Sequence, residues 1–223
     1  VTGLLIFDGD GVLYDTEPVV CRVQADVITA LGHPITEADA RSHIGRTGAE
    51  FYAAMAERFA MTIPEDINHR FVTRYREVLA DGLAPIPGVR DLIERLCVPY
   101  CLVTNSTRLR LDVTLAATGL VDLFKDRLFC LDDVKRGKPA PDMFLLAAKT
   151  MKADAADCLA IDDNIHGIAA AREAGMRAIG FVGASHNAPG QAEKLIEAGA
   201  ERVCNSMLEF AGLLAKDGLA KIR

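Results

Sequence analysis

Three short apolar runs constrain this chain more than any other feature: GLLIFD at residues 3–8, YCLVTN at 100–105 and CLAID at 158–162. Each is too brief for a helix, is apolar at consecutive positions and stops at a polar residue. A strand with one wet face alternates, whereas a strand without alternation is buried on both faces, like the central strands of a parallel sheet. Stretches with helical spacing lie between and after them, at 88–96, 107–119, 140–151 and 164–175. Further on come a strand pattern at 176–183, a helix near 191–198, ERVCN at 201–205 and a last helix from about residue 207. Strands alternating with helices of this length predict an α/β fold, a Rossmann-like doubly wound parallel sheet. Ligands of such sheets bind at the carboxyl ends of the strands, where all three runs finish in polar chemistry.

The rhythm breaks between residues 16 and 83. EPVVCRVQADVITALG, TGAEFYAAMAERFAM and PEDINHRFVTRYREVLADG have helical spacing and no strand among them. They predict a helical insertion over 16–83, bounded by Asp15–Thr16 and by APIPG at 84–88, in a core formed by residues 1–15 and 84–223.

A net charge of -6 gives no basis for gripping nucleic acid or an anionic membrane, so any small anionic substrate needs a local positive site. No run approaches the roughly 18 apolar residues of a membrane span, and no basic, signal-like segment opens the sequence. The six cysteines, Cys21, Cys97, Cys101, Cys130, Cys158 and Cys204, are scattered without metal-binding spacing. They read as reduced thiols, and the expected location is cytoplasmic.

The first run ends in Asp8-Gly9-Asp10-Gly11. Asp and Gly are ordinary turn residues. Buried ionised carboxylates, however, cost several kcal/mol each unless compensated, and like charges this close raise one another's pKa. Something cationic is expected beside them. At the second run Thr104 and Asn105 precede a helix. They serve as an N-cap or, with the helix N-terminus, as phosphate donors. Lys138, in KRGKPAPD, is a credible cation for the acids and for a substrate phosphate. At the third run Asp162 and Asp163 are consecutive acids at a strand end, more than capping requires. With Asp8 and Asp10 they form a hard oxygen site suited to Mg²⁺.

FDGDGVLYDTE, VTNS, KPAPD and IDDNIHG, in this order, resemble the four motifs of the haloacid dehalogenase superfamily, and the resemblance covers nearly the whole chain. It is strongest to the sugar-phosphate phosphatases and beta-phosphoglucomutase-like members, whose α-helical cap the insertion resembles. The resemblance implies that Asp8 is a nucleophile forming an aspartyl-phosphate, with Asp10 as general acid and then general base. It implies that Asp8, the Asp10 carbonyl and Asp163 hold Mg²⁺, with Asp162 a further or water-mediated ligand. Thr104, Asn105, Lys138 and the amides of Gly9 and Asp10 would hold phosphoryl oxygens, and a small phosphorylated metabolite is the expected partner. In the insertion Glu17, Arg22 and Arg46 are candidate substrate contacts, Arg46 ranking first for its flanking glycines.

The sequence departs from the family pattern in three places. Gly9 stands where Cys, Leu, Met or Ser is more usual, Thr104 replaces a serine, and Asp162-Asp163-Asn164 replaces Glu-Asp-Ser. Beta-phosphoglucomutase-like mutases carry a histidine near the position of Val20, which favours hydrolysis over phosphomutase activity. A catalytically idle binding module on this fold is the other alternative, disfavoured because a pure binder has no need of Asp10. His33, His43, His69, His166 and His186 read as structural.

Overall fold

The computed structural model describes residues 3–44, 47–216, 218 and 222. In chain order the elements begin with β1 (Leu4–Phe7), α1 (Glu17–Ala30), α2 (Glu37–Arg41), α3 (Gly48–Phe59), α4 (Ile67–Val78) and α5 (Val89–Arg95). They continue with β2 (Tyr100–Val103), α6 (Arg108–Thr118), α7 (Val121–Phe124), β3 (Leu128–Phe129), α8 (Asp142–Met151) and β4 (Cys158–Asp162). The last are α9 (Ile165–Glu173), β5 (Arg177–Phe181), α10 (Gln191–Glu197), β6 (Arg202–Cys204) and α11 (Met207–Lys216). They form two compact units, Thr16–Leu83 and the remainder, Val1–Asp15 with Ala84–Arg223.

In the larger unit the three unalternating runs become the middle of a parallel six-stranded sheet ordered β3-β2-β1-β4-β5-β6. β1 is central: Ile6 lies beside Cys101 of β2 on one side and Ala160 of β4 on the other. Both faces are covered, which is why these strands are apolar at every position. Leu4, Ile6, Cys101, Val103, Cys158 and Ala160 share a core with Met143, Phe144 and Ala147 of α8 and Ile168, Ala170 and Ala171 of α9. On the opposite face Phe7 packs edge-on against Phe210 of α11, ring centroids 6.1 Å apart. The strand order reverses at β1, so the loops leaving β1, β2 and β4 diverge around one crevice at the carboxyl edge.

The smaller unit is helical. α1 packs against both α2 and α4. Val20, Val23, Val27 and Ile28 of α1 are buried, following the spacing of one helix face. Capping boxes start two of its helices: Thr36 with Asp39 for α2, and Thr47 with Glu50 for α3.

The sequence pattern missed three short elements. β3 has two residues and sits at the sheet edge, too short to show a period, and α2 and α7 span little more than one turn. Ile6→Ala removes a fully enclosed side chain from the central strand. It should cost about 2–5 kcal/mol of stability, measured by urea unfolding of the whole chain.

Candidate active site at the carboxyl edge of the sheet

Asp8 continues the β1 ladder by one residue, its N–H donating to the Ile161 carbonyl at 3.0 Å. The chain then turns sharply, with Leu13 N–H on the Gly9 carbonyl at 2.9 Å and Gly11 N–H on the Tyr14 carbonyl at 2.8 Å. Glycine at position 9 now has a steric reason, since a Cβ there would lie 2.3 Å from the Tyr14 hydroxyl oxygen. Gly11 has φ +83°, and a Cβ on it would lie 2.0 Å from Asp163 Oδ2. Both glycines let the acidic turn pack closely.

Lys138 reaches this turn from the loop before α8. Asn105 clamps its backbone at both ends, Oδ1 accepting from Lys138 N–H at 2.8 Å and Nδ2 donating to the Lys138 carbonyl at 3.0 Å. The ammonium donates to Asp8 Oδ1 at 2.6 Å, to Asp162 Oδ2 at 2.7 Å and to the Val103 carbonyl at 2.9 Å. Lys138 and Asp8 are each 8% exposed, Asp163 6% and Asp162 1%. Burial works against the Lys138 charge, but Asp162 and Asp8 outweigh it and hold the ammonium above its ordinary range. Burial pushes the Asp8 carboxyl well above the usual carboxylate range; Asp162 and Asp163 add to this, against Lys138. Asp163 is raised to about 6, mainly by burial, with His186 opposing and Asp162 reinforcing it. The ammonium bonds two of the three buried acids, and His186 meets the third.

One ligand oxygen from each of Asp8, Asp162 and Asp163 lies within 4.8 Å of the others. Buried oxygen donors with excess negative charge are what a hard divalent cation requires. Asp162 is the least available of the three, because Oδ1 accepts from Asn164 N–H at 2.9 Å while Oδ2 holds Lys138. It is engaged in holding the lysine.

The Asp10 carboxylate lies outside this trio. Its Oδ2 accepts from the Ser106 hydroxyl at 2.8 Å, and its Oδ1 pairs with the Arg110 guanidinium. Thr104 is buried at the end of β2, its hydroxyl oxygen accepting from Ser106 N–H at 3.0 Å. Ser106 and Arg110 are contacts the sequence analysis did not assign, although their spacing of four residues across the start of α6 puts them on one face. Among the five histidines read as structural, His186 lies against two acids of this edge. Its Nε2 lies 2.9 Å from Asp163 Oδ2 and its Nδ1 3.7 Å from Asp15 Oδ1. Asp15 is held down at about 2, chiefly by the neighbouring His186, with Ser185 adding to it. Glu17 opens α1 and Arg22 lies within it, both in the helical unit. Arg46 falls outside the described residues.

A parallel sheet with acids at the ends of its two central strands and a lysine between them defines a class of enzyme. Residues 2–175 match the haloacid dehalogenase-like hydrolases, and the chain belongs to that family. It is 34% identical over 186 residues to fructose-1-phosphate phosphatase YqaB of Escherichia coli, covering 78% of this chain and 94% of the relative. It is 29% identical to the bifunctional riboflavin kinase/FMN phosphatase of Arabidopsis thaliana, covering 94% of this chain but only 55% of that protein's length. Of a second Arabidopsis thaliana relative it spans 17%. A haloacid dehalogenase family hydrolase from Deinococcus radiodurans, solved with bound phosphate and sodium, superposes with a TM-score of 0.79 at 29% identity. That match covers all of this chain and 99% of the other. Among the described residues no helix is long and apolar enough to cross a membrane.

Removing the ammonium leaves Asp8 and Asp162 buried without a counter-charge. Lys138→Met should therefore destabilise the cation-free protein by about 3–5 kcal/mol, read from urea unfolding in the presence of chelator.

Proposed function

We propose that the protein is a Mg²⁺-dependent phosphatase that hydrolyses a small phosphomonoester, a sugar phosphate, through an aspartyl-phosphate on Asp8. The observation that carries this reading is the Lys138 ammonium, 2.6 Å from Asp8 Oδ1 and 2.7 Å from Asp162 Oδ2 in a buried acidic group, with a second acid held apart two residues along. In this reading the Thr16–Leu83 unit is the cap and the remainder the catalytic core. The Escherichia coli relative named for fructose 1-phosphate supports the substrate class.

A carboxylate oxygen of Asp8 bonds to phosphorus as the bond between phosphorus and the leaving-group oxygen breaks. Asp10 gives its proton to that departing oxygen. Asp10, now a carboxylate, then takes a proton from water whose oxygen attacks phosphorus. The bond from Asp8 to phosphorus breaks and inorganic phosphate leaves. Ser106 and Arg110 hold the Asp10 carboxyl group, and the first step requires Asp10 to exchange the Arg110 contact for the leaving group. Lys138, the Thr104 hydroxyl and the amides of Gly9 and Asp10 hold phosphoryl oxygens, while Asn105 supports the Lys138 backbone. Asp8, Asp163 and the Asp10 carbonyl would hold Mg²⁺, with Asp162 a further or water-mediated ligand, and the bound ion would offset the repulsion between Asp8 and the phosphate.

Asp8→Asn replaces the attacking oxygen with a nearly isosteric amide. It should abolish turnover of sugar and aryl phosphates with an unchanged circular dichroism spectrum, and acid quenching should trap labelled phosphate on the wild type but not on the variant. Chelator should silence the wild type and Mg²⁺ restore it. A folded Asp8→Asn variant with full activity would exclude the covalent route.

A further inference from the structure

His186 stands in the loop after β5, outside the four motifs and outside the phosphoryl chemistry described above. That loop and the first residue of α10 grip Asp163 at two points. His186 Nε2 lies 2.9 Å from the carboxylate Oδ2, and Gln191 Nε2 donates to the Asp163 backbone carbonyl at 2.8 Å. The same loop is tied on its other side to Asp15, whose Oδ2 accepts from Ser185 N–H at 2.9 Å and whose Oδ1 lies 3.7 Å from His186 Nδ1. His186 thus meets Asp163 directly and stands near Asp15 without a hydrogen bond to it, while Ser185 ties the loop to Asp15. The His186 and Asp163 side chains are little exposed, at 9% and 7%.

A carboxylate that binds a cation through one oxygen must hold its plane against rotation, and a fixed donor on the other oxygen supplies that restraint. Gly11 already presses against this carboxylate from the β1 turn, so few orientations remain to it. We propose that His186, on a loop that Ser185 ties to Asp15, is a positioning residue which locks Asp163 in the orientation that binds the divalent cation. The inference rests on the cation reading above. His186 touches neither substrate nor the reacting atoms in this scheme; it acts through Asp163.

The test is calorimetric titration of the whole chain with MgCl₂ in the absence of substrate. His186→Ala and the volume-keeping His186→Leu should weaken Mg²⁺ binding about 10–100-fold. His186→Gln, which can place a donor near the same oxygen, should recover most of the affinity. Asp15→Asn should weaken binding in the same direction by less. In steady-state kinetics the Ala and Leu variants should need more Mg²⁺ for half-maximal rate, with kcat approaching that of the wild type once Mg²⁺ saturates. Folded Ala or Leu variants, matched to wild type by circular dichroism, that bind Mg²⁺ with unchanged affinity would overturn the proposal. So would a Gln variant that binds as weakly as Ala, which would point to packing of the ring. If the wild type itself binds no Mg²⁺, the cation reading fails first and takes this inference with it.

Discussion

One buried ammonium joins the ends of three strands. Lys138 Nζ reaches Asp8 beyond β1, Asp162 at the end of β4 and the Val103 carbonyl at the end of β2. Without it, two carboxylates would be buried without a counter-charge, at a cost of several kcal/mol each. The rest of the edge is arranged to deliver that charge. The Asn105 amide holds both polar groups of the Lys138 backbone, and the three strands meet where the sheet order reverses.

The balance is deliberately incomplete in charge. One cation faces Asp8, Asp162 and Asp163, and burial raises the carboxyl groups of Asp8 and Asp163 above their ordinary range. Such a site favours the arrival of further positive charge. Asp10, two residues from Asp8, escapes this competition because Ser106 and Arg110 hold it on the side of α6. Two acids on one turn therefore have different partners, the arrangement by which a single site can contain a nucleophile and a proton carrier.

The acidic turn is also shaped by what surrounds it. A Cβ on Gly9 would meet the Tyr14 hydroxyl, and Gly11 lets Asp163 approach the backbone. The loop after β5 closes the other side through Asp15, Gln191 and His186. Residues 2–175 carry the family match, and His186 lies beyond that span.

The middle of the sheet was legible because burial on both faces leaves its mark on every residue of a strand, as in Leu4–Phe7 and Cys158–Asp162. The acids stood out because charge at the end of such a run is costly and needs a reason, and Lys138 because a cation had to answer them. The helical insertion was legible from its spacing alone. β3, with only Leu128 and Phe129, was not, because two residues carry no period. Beyond the pairing of Lys138 with the acids, partnerships were not legible. The Asn105 amide clamps the Lys138 backbone, a contact its reading as a phosphate donor did not include; Arg110 meets Asp10 across 100 residues of sequence; His186 had no spacing signal at all. A sequence records how well each side chain suits its depth and its element, which local periodicity and the cost of buried charge make readable. Which two distant polar groups share a hydrogen bond is settled only when the strands align and loops from separate parts of the chain converge on one edge.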